Sequence, residues 1–160
     1  MTPTLIIDLH AQTLDLLDGG TPIRRYVVST ARNGPGEQSG SHCTPRGRHI
    51  VRARIGAGLP AGAVLVARRW TGEIWSPQLA AQHPERDWIL TRILWLSGCE
   101  PGRNRLGQVD TMRRYIYIHG TPDTELLGVP GSSGCVRMNN LDLIELFDLV
   151  QPGTTVDIIG

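Results

Sequence analysis

The chain has 160 residues, enough for one domain, residues 1–160, with a real apolar core and no need of disulfide or metal staples. A formal net charge of +1 gives no global field that would draw it to nucleic acid or an anionic membrane. Its 19 glycines and 11 prolines are spread along the length, which points to many turns and many short strands.

The opening "MTPTLIIDLHAQTLDLLDGG" has no basic leader region, and Asp8 breaks its short apolar run, so it does not read as a secretory signal. No stretch approaches 18 uninterrupted apolar residues, so no membrane span is expected. The expected location is cytoplasmic for the chain as it stands, and periplasmic if it is a trimmed mature form. The runs "TLIIDL", "TLDLL" and "IRRYVVST" are separated by "HAQ" and "DGGTP", which predicts a β-meander over residues 4–30. Residues 31–47 are dense in Gly, Pro, Ser and Asn and read as a long surface loop, after which "RHIVRARIG" resumes the alternation.

Residues 58–98 are strand-like and carry four tryptophans, read as core or rim aromatics, with "SPQLAAQHPE" as a break. "CEPGRNRLGQVDTMRR" is a second polar loop, and "RYIYIHGT" is a strong strand with His119 at its end. Beyond Cys135 the period changes. Asn139 or Asn140 is a candidate N-cap, and Leu143, Leu146, Phe147 and Val150 recur at helical spacing up to Pro152-Gly153. "TTVDII" closes the chain as a strand. The sum is a mainly β domain with one helix.

Three cysteines, Cys43, Cys99 and Cys135, are odd in number and lack any Cys-x-x-Cys, so neither a disulfide framework nor a zinc site is signalled. His42, Cys43 and His49 cluster without paired ligand spacing, and "SHCTPRGRHI" reads as a turn leading into a strand. Cys99 reads as a packed or loop thiol. Asp110 and Asp123 read as turn formers, and His10, His42, His49 and His83 as surface or strand histidines.

Cys135 is different because of its company. A thiol becomes a useful nucleophile when its thiolate is favoured, and both a nearby base and the start of a helix act in that direction. His119 lies sixteen residues upstream at a strand end, and the intervening loop can fold the two side chains together.

"YIYIHGT", then "LGVPGSSGCVRMNN", then a helix resembles the catalytic segment of the L,D-transpeptidase or YkuD family, in which His-Gly precedes Ser-His-Gly-Cys-x-Arg. "TLIIDLHAQTLDLLDGGTPIRRYVVSTA" is similar to the family's opening hairpin, and "TPRGRHIV" to its Thr-Pro-x-Gly segment. The resemblance implies a β-sandwich of that family with a helix after the cysteine, and a cysteine acyl-enzyme acting on peptidoglycan stem tetrapeptides without a cofactor or metal. It assigns Cys135 as nucleophile, His119 as general base and Gly120 as the backbone carbonyl that orients the ring. The N–H groups of Gly134 and Cys135 are oxyanion donors, and Arg137 anchors a substrate carboxylate, with Ser132 and Ser133 beside it. A carbapenem or other β-lactam is an implied inhibitor. Ser133 departs from the pattern, standing where the family has histidine.

Two outcomes follow from the acceptor. Water would make the protein an L,D-carboxypeptidase that trims muropeptides in recycling; an amine from a second stem would make it a transpeptidase forming 3-3 cross-links. Ser133 and the missing export signal favour water. The alternative of another class is a non-catalytic peptidoglycan-binding module.

Overall fold

The computed structural model describes residues 1–160. The opening meander is β1 (Pro3–Asp8), β2 (Thr13–Asp18) and β3 (Thr21–Ser29), paired antiparallel in turn. In β1 and β2, Leu5, Ile7, Leu14 and Leu16 alternate inward and are buried, as a period of two requires when one face is covered. After the long loop come β4 (Gly47–Ile55), β5 (Ala63–Val66), β6 (Arg69–Ile74) and β7 (Ile89–Gly98). Then follow β8 (Tyr117–Gly120), β9 (Val136–Met138), a helix over Asn140–Leu149, and β10 (Thr155–Ile159).

All ten strands belong to one hydrogen-bonded sheet in the order β4-β10-β1-β2-β3-β9-β8-β7-β5-β6. Because β4 also pairs with β7, eight of them form a closed ring, and the two layers of the expected sandwich are continuous. Closure leaves few free edges to manage. The β5–β6 hairpin stands outside the ring, attached where Val64 and Leu65 pair with Leu90 and Ile89 at the start of β7. Two pairings are parallel, β1 with β10 and β8 with β9, and the second of these builds the site.

Two segments differ from the sequence reading. "SPQLAAQ" forms a short helix, α1 (Pro77–Gln82), instead of a break. Ser76 is its N-cap, accepting from the Leu79 N–H at 3.1 Å, and Pro77 sits in the first turn, where a missing N–H costs nothing. The strand expected from Arg114 begins only at Tyr117, because Tyr115 holds φ +56° in a turn whose N–H bonds Met112 O.

The second helix, α2 (Asn140–Leu149), is the one expected behind Cys135. Asn139 caps it by accepting from the N–H groups of Leu141 and Asp142. Leu143, Leu146 and Phe147 are buried and pack towards β7 and β8. Arg54 lies 4.0 Å over the Phe147 ring and donates to its carbonyl at 2.7 Å, which pins the helix end to β4. No helix is long and apolar enough to cross a membrane.

Candidate active site

Strands β8 and β9 run side by side in parallel, with Ile118 opposite Val136, His119 opposite Arg137 and Gly120 opposite Met138. Ile116, Ile118, Val136 and Met138 all enter the main core. By alternation, Tyr117, His119, Cys135 and Arg137 share the opposite face. One more step of the register sets Cys135 beside Tyr117, diagonal to His119. That face is covered by a second, smaller apolar cluster of Leu65, Ile93 and Tyr117, against which Trp95 and Cys135 pack.

His119 is buried, and its Nδ1 lies 2.7 Å from Gly120 O. A carbonyl can only accept, so Nδ1 carries the proton and Nε2 is left with the lone pair. Burial lowers the histidine's pKa, opposed by its bond to Gly120 O and by the charge of Asp87. The ring is therefore neutral at neutral pH with its basic nitrogen defined.

Gly120 has no room for a side chain: a Cβ would collide with Asn140 Oδ1 and with Leu90 O. Asn140 is itself fixed, accepting from Thr91 Oγ1 at 2.6 Å and donating to Thr121 O at 3.1 Å. The carbonyl that orients His119 thus sits between β7 and the start of α2.

Cys135 Sγ accepts from the Tyr117 N–H at 3.3 Å and donates to Tyr115 O at 3.4 Å. Burial pushes the thiol up to about 12, more than the Tyr117 N–H and the cations of Arg137 and Arg114 offset. The residue is partly open to solvent, which lessens that rise without changing its direction. This corrects the expectation of a favoured thiolate. The helix start is separated from Cys135 by the whole of β9, and desolvation wins.

Gly134 takes φ +134°, and a Cβ there would press on Ile116 and on Cys43 O. Its N–H donates to Ser132 Oγ at 3.2 Å, so it is not free for an oxyanion. Ser132 Oγ also donates to Cys135 O at 2.6 Å. Ser132 is buried and shapes the turn, a different use from the substrate contact expected of it. Ser133, by contrast, is exposed, beside His42 and Arg137.

Arg137 is largely buried, donating to Gly131 O at 3.2 Å and to Asp87 at 3.3 Å, with Glu125 at 3.7 Å. Part of its charge is therefore already answered. Three contributors were not singled out in the sequence: Asp87, Thr44 and Arg114. Arg114 donates to Cys43 O at 2.6 Å and to Gly36 O and Glu37 O at 3.3 Å, clamping the long loop against the cysteine turn. Asp87 lies in a polar turn without pattern. Thr44 alone carried a signal, as the threonine of "TPRG".

Arg68, at the tip of the β5–β6 hairpin, lies 4.9 Å over Trp95 and 5.2 Å over Tyr115, and donates to Tyr117 Oη at 3.0 Å. Cys99 is half-buried at the end of β7, and Asp110 closes a turn by accepting from the Leu106 and Arg113 N–H groups, as their plain readings had it. His49 is wholly buried in β4, between Gly47 O and Thr111 Oγ1.

A closed mainly β sheet with a cysteine and a histidine on one face of adjacent parallel strands, followed by a capped helix, is the frame of a class of cysteine enzymes. Residues 2–158 match the YkuD family model, the L,D-transpeptidase catalytic domain, and the chain belongs to that family. A stretch of 46 residues is 44% identical to YkuD of Bacillus subtilis (strain 168), covering 29% of this chain and 28% of that protein. Among solved structures, L,D-transpeptidase 3 from Mycobacterium tuberculosis, in complex with a faropenem-derived adduct, is similar with a TM-score of 0.61 at 13% identity. An L,D-transpeptidase from Mycobacterium smegmatis has a TM-score of 0.59 at 14% identity. Each match covers 99% of this chain, which spans about 60% of those chains (60% and 59%).

Proposed function

We propose that the protein is an L,D-carboxypeptidase, releasing the terminal D-alanine from peptidoglycan tetrapeptide stems through a thioester on Cys135. The observation that carries this is the His119 ring, neutral and with Nε2 left basic by Gly120 O, on the same strand face as a protonated Cys135 thiol.

As Sγ attacks the carbonyl carbon that follows the L-centre, His119 Nε2 takes the thiol proton. The Cys135 N–H is the candidate donor to the developing oxyanion, since the Gly134 N–H is held by Ser132. Collapse breaks the C–N bond, and the histidine returns its proton to the leaving amine of D-alanine. Water then attacks the thioester, His119 takes one of its protons, and that proton goes back to Sγ. No ion pair needs to pre-exist at rest.

Water is favoured as acceptor by the exposed Ser133 hydroxyl, in a polar cleft, where the family pattern has an imidazole. A cytoplasmic location fits the same reading, because soluble muropeptides are the stems met there. The test is to incubate the protein with a disaccharide tetrapeptide and resolve the products by mass. Tripeptide plus free D-alanine is expected. Cross-linked dimers without tripeptide would replace this reading with transpeptidation, and no product of either kind would favour a binding module. Imipenem is expected to add its mass to the wild type and not to Cys135→Ala.

A further inference from the structure

Beside the cysteine turn is a cleft of about 360 Å³ lined by Arg32, Asn33, His42, Ser133 and Arg137, with Gly131 and Ser132 of the turn itself. None of its lining residues is apolar and none is acidic. Its two guanidinium groups differ. Arg137 is turned partly to Asp87 and Glu125, whereas the exposed Arg32 side chain makes no ion pair or hydrogen bond within the protein. A second cavity has the opposite character, lined by Asp123 and Glu125 with no basic residue.

The position of Arg32 is built. Its N–H donates to Ser132 O at 2.8 Å, next to the turn that carries Cys135, and Ala31 bridges to Ser132 in parallel register. The opposite wall is also held. His42 takes φ +58°, a left-handed backbone uncommon for histidine. The loop keeps it there through Arg114 on Cys43 O and through Ser41 Oγ, which accepts the Cys43 N–H.

We infer that this cleft is a carboxylate subsite in which the fork of Arg32, with His42 and the second N–H of the Asn33 amide (the first donates to Ser41 O at 3.1 Å) as further donors, holds the C-terminal carboxylate of the substrate peptide. It rests on the function proposed above, in which the residue that leaves carries that free carboxylate. Planar guanidinium suits a carboxylate with two parallel N–H bonds, and the Arg32 fork has no carboxylate partner within the protein, Asp87 and Glu125 being turned to Arg137. The subsite would make the enzyme specific for stems that end at the fourth residue with a free acid.

The test compares two synthetic tetrapeptides, one ending in D-alanine and one in its carboxamide. The wild type is expected to prefer the free acid. In Arg32→Gln that preference falls about ten- to a hundredfold, through KM more than kcat, as loss of a charge-assisted contact predicts. Arg32→Lys, which keeps the charge without the fork, recovers part of it. Equal use of both peptides by the wild type, or an unchanged preference in Arg32→Gln, overturns the subsite. A second measurement titrates N-acetyl-D-alanine into Cys135→Ala with and without Arg32→Gln. Binding that depends on Arg32, with neither peptide cleaved by the wild type, upholds the subsite and refutes the carboxypeptidase. Absence of both overturns the subsite too.

Discussion

Thr44 Oγ1 donates to Gly134 O at 2.8 Å across 90 positions of sequence and accepts the Ala31 N–H at 3.0 Å. One buried hydroxyl thereby joins the end of β3, the long loop and the cysteine turn. Thr44→Val keeps the shape and removes both bonds, leaving a buried carbonyl and a buried N–H unmet. That costs about 1–3 kcal/mol, or several degrees in Tm for a chain of this size. Turnover is expected to fall further than stability at the assay temperature accounts for, because Gly134 adjoins the nucleophile. Thr44→Ser should restore most of both. Activity unchanged in a destabilised Thr44→Val would show that the bond supports only the fold.

The resting state of the thiol sets the next expectation. With Cys135 pushed up to about 12 and His119 held below the ordinary histidine range, both by burial, the free enzyme has a thiol and a neutral imidazole at pH 7. Iodoacetamide should therefore modify Cys135 slowly at neutral pH even in an active enzyme, with a rate that climbs only well into the alkaline range. Slow alkylation thus does not mark a binding module. Turnover needs His119 unprotonated, so the acid limb of kcat/KM should lie below pH 6.5. Fast alkylation that follows a titration near neutrality would mean that a thiolate–imidazolium pair forms at rest.

Where local pattern decides structure, the sequence was legible. The meander follows from period-two burial at Leu5, Ile7, Leu14 and Leu16, and α2 from Asn139 and the spacing of Leu143, Leu146 and Phe147. "SPQLAAQ" is ambiguous because Ser-Pro both breaks chains and starts helices; only the Ser76 side chain on the Leu79 N–H settles which. Cys135 and His119 stand out as a thiol and a base near a helix start, their roles and that of Gly120 come from the resemblance, and nothing in their spacing shows that β8 and β9 lie parallel. The roles of Ser132 and Arg114 depend on which carbonyls ring closure brings near them. No period or motif carries that information, least of all in a chain whose 16 basic residues are all arginine.

Arg114 gives a test of how rigid the long loop must be. Its guanidinium is half-buried and holds the carbonyls of Gly36, Glu37 and Cys43, with Ser41 Oγ at 3.4 Å. Arg114→Met keeps much of the stem and leaves those acceptors without their cation. Amide exchange at Ser39 to Cys43 should rise by an order of magnitude or more, while protection in β1 and β2 is kept, since local opening is separable from global unfolding. kcat/KM should fall with it. Exchange unchanged across the loop would mean that the Glu37–Arg46 pair, bonded at 3.0 and 3.1 Å, is enough to hold it.

His49 and His119 together predict how stability depends on pH. Both are buried and both have lowered pKa values, with desolvation the leading cause. Above about pH 6.5, the unfolded value, each is neutral whether the chain is folded or not, and neither costs anything. As pH falls below that, the unfolded chain takes up protons that the folded one refuses, so unfolding becomes more favourable until the folded pKa is reached. Tm should therefore drop between pH 7 and pH 5. The loss should be shallower in His49→Gln, whose amide can still donate to Gly47 O or accept from Thr111, and which has nothing to titrate. His49→Gln will be less stable at pH 7.5, so the comparison is between slopes. Parallel curves would remove His49 as a source of the acid sensitivity and leave His119 to carry it.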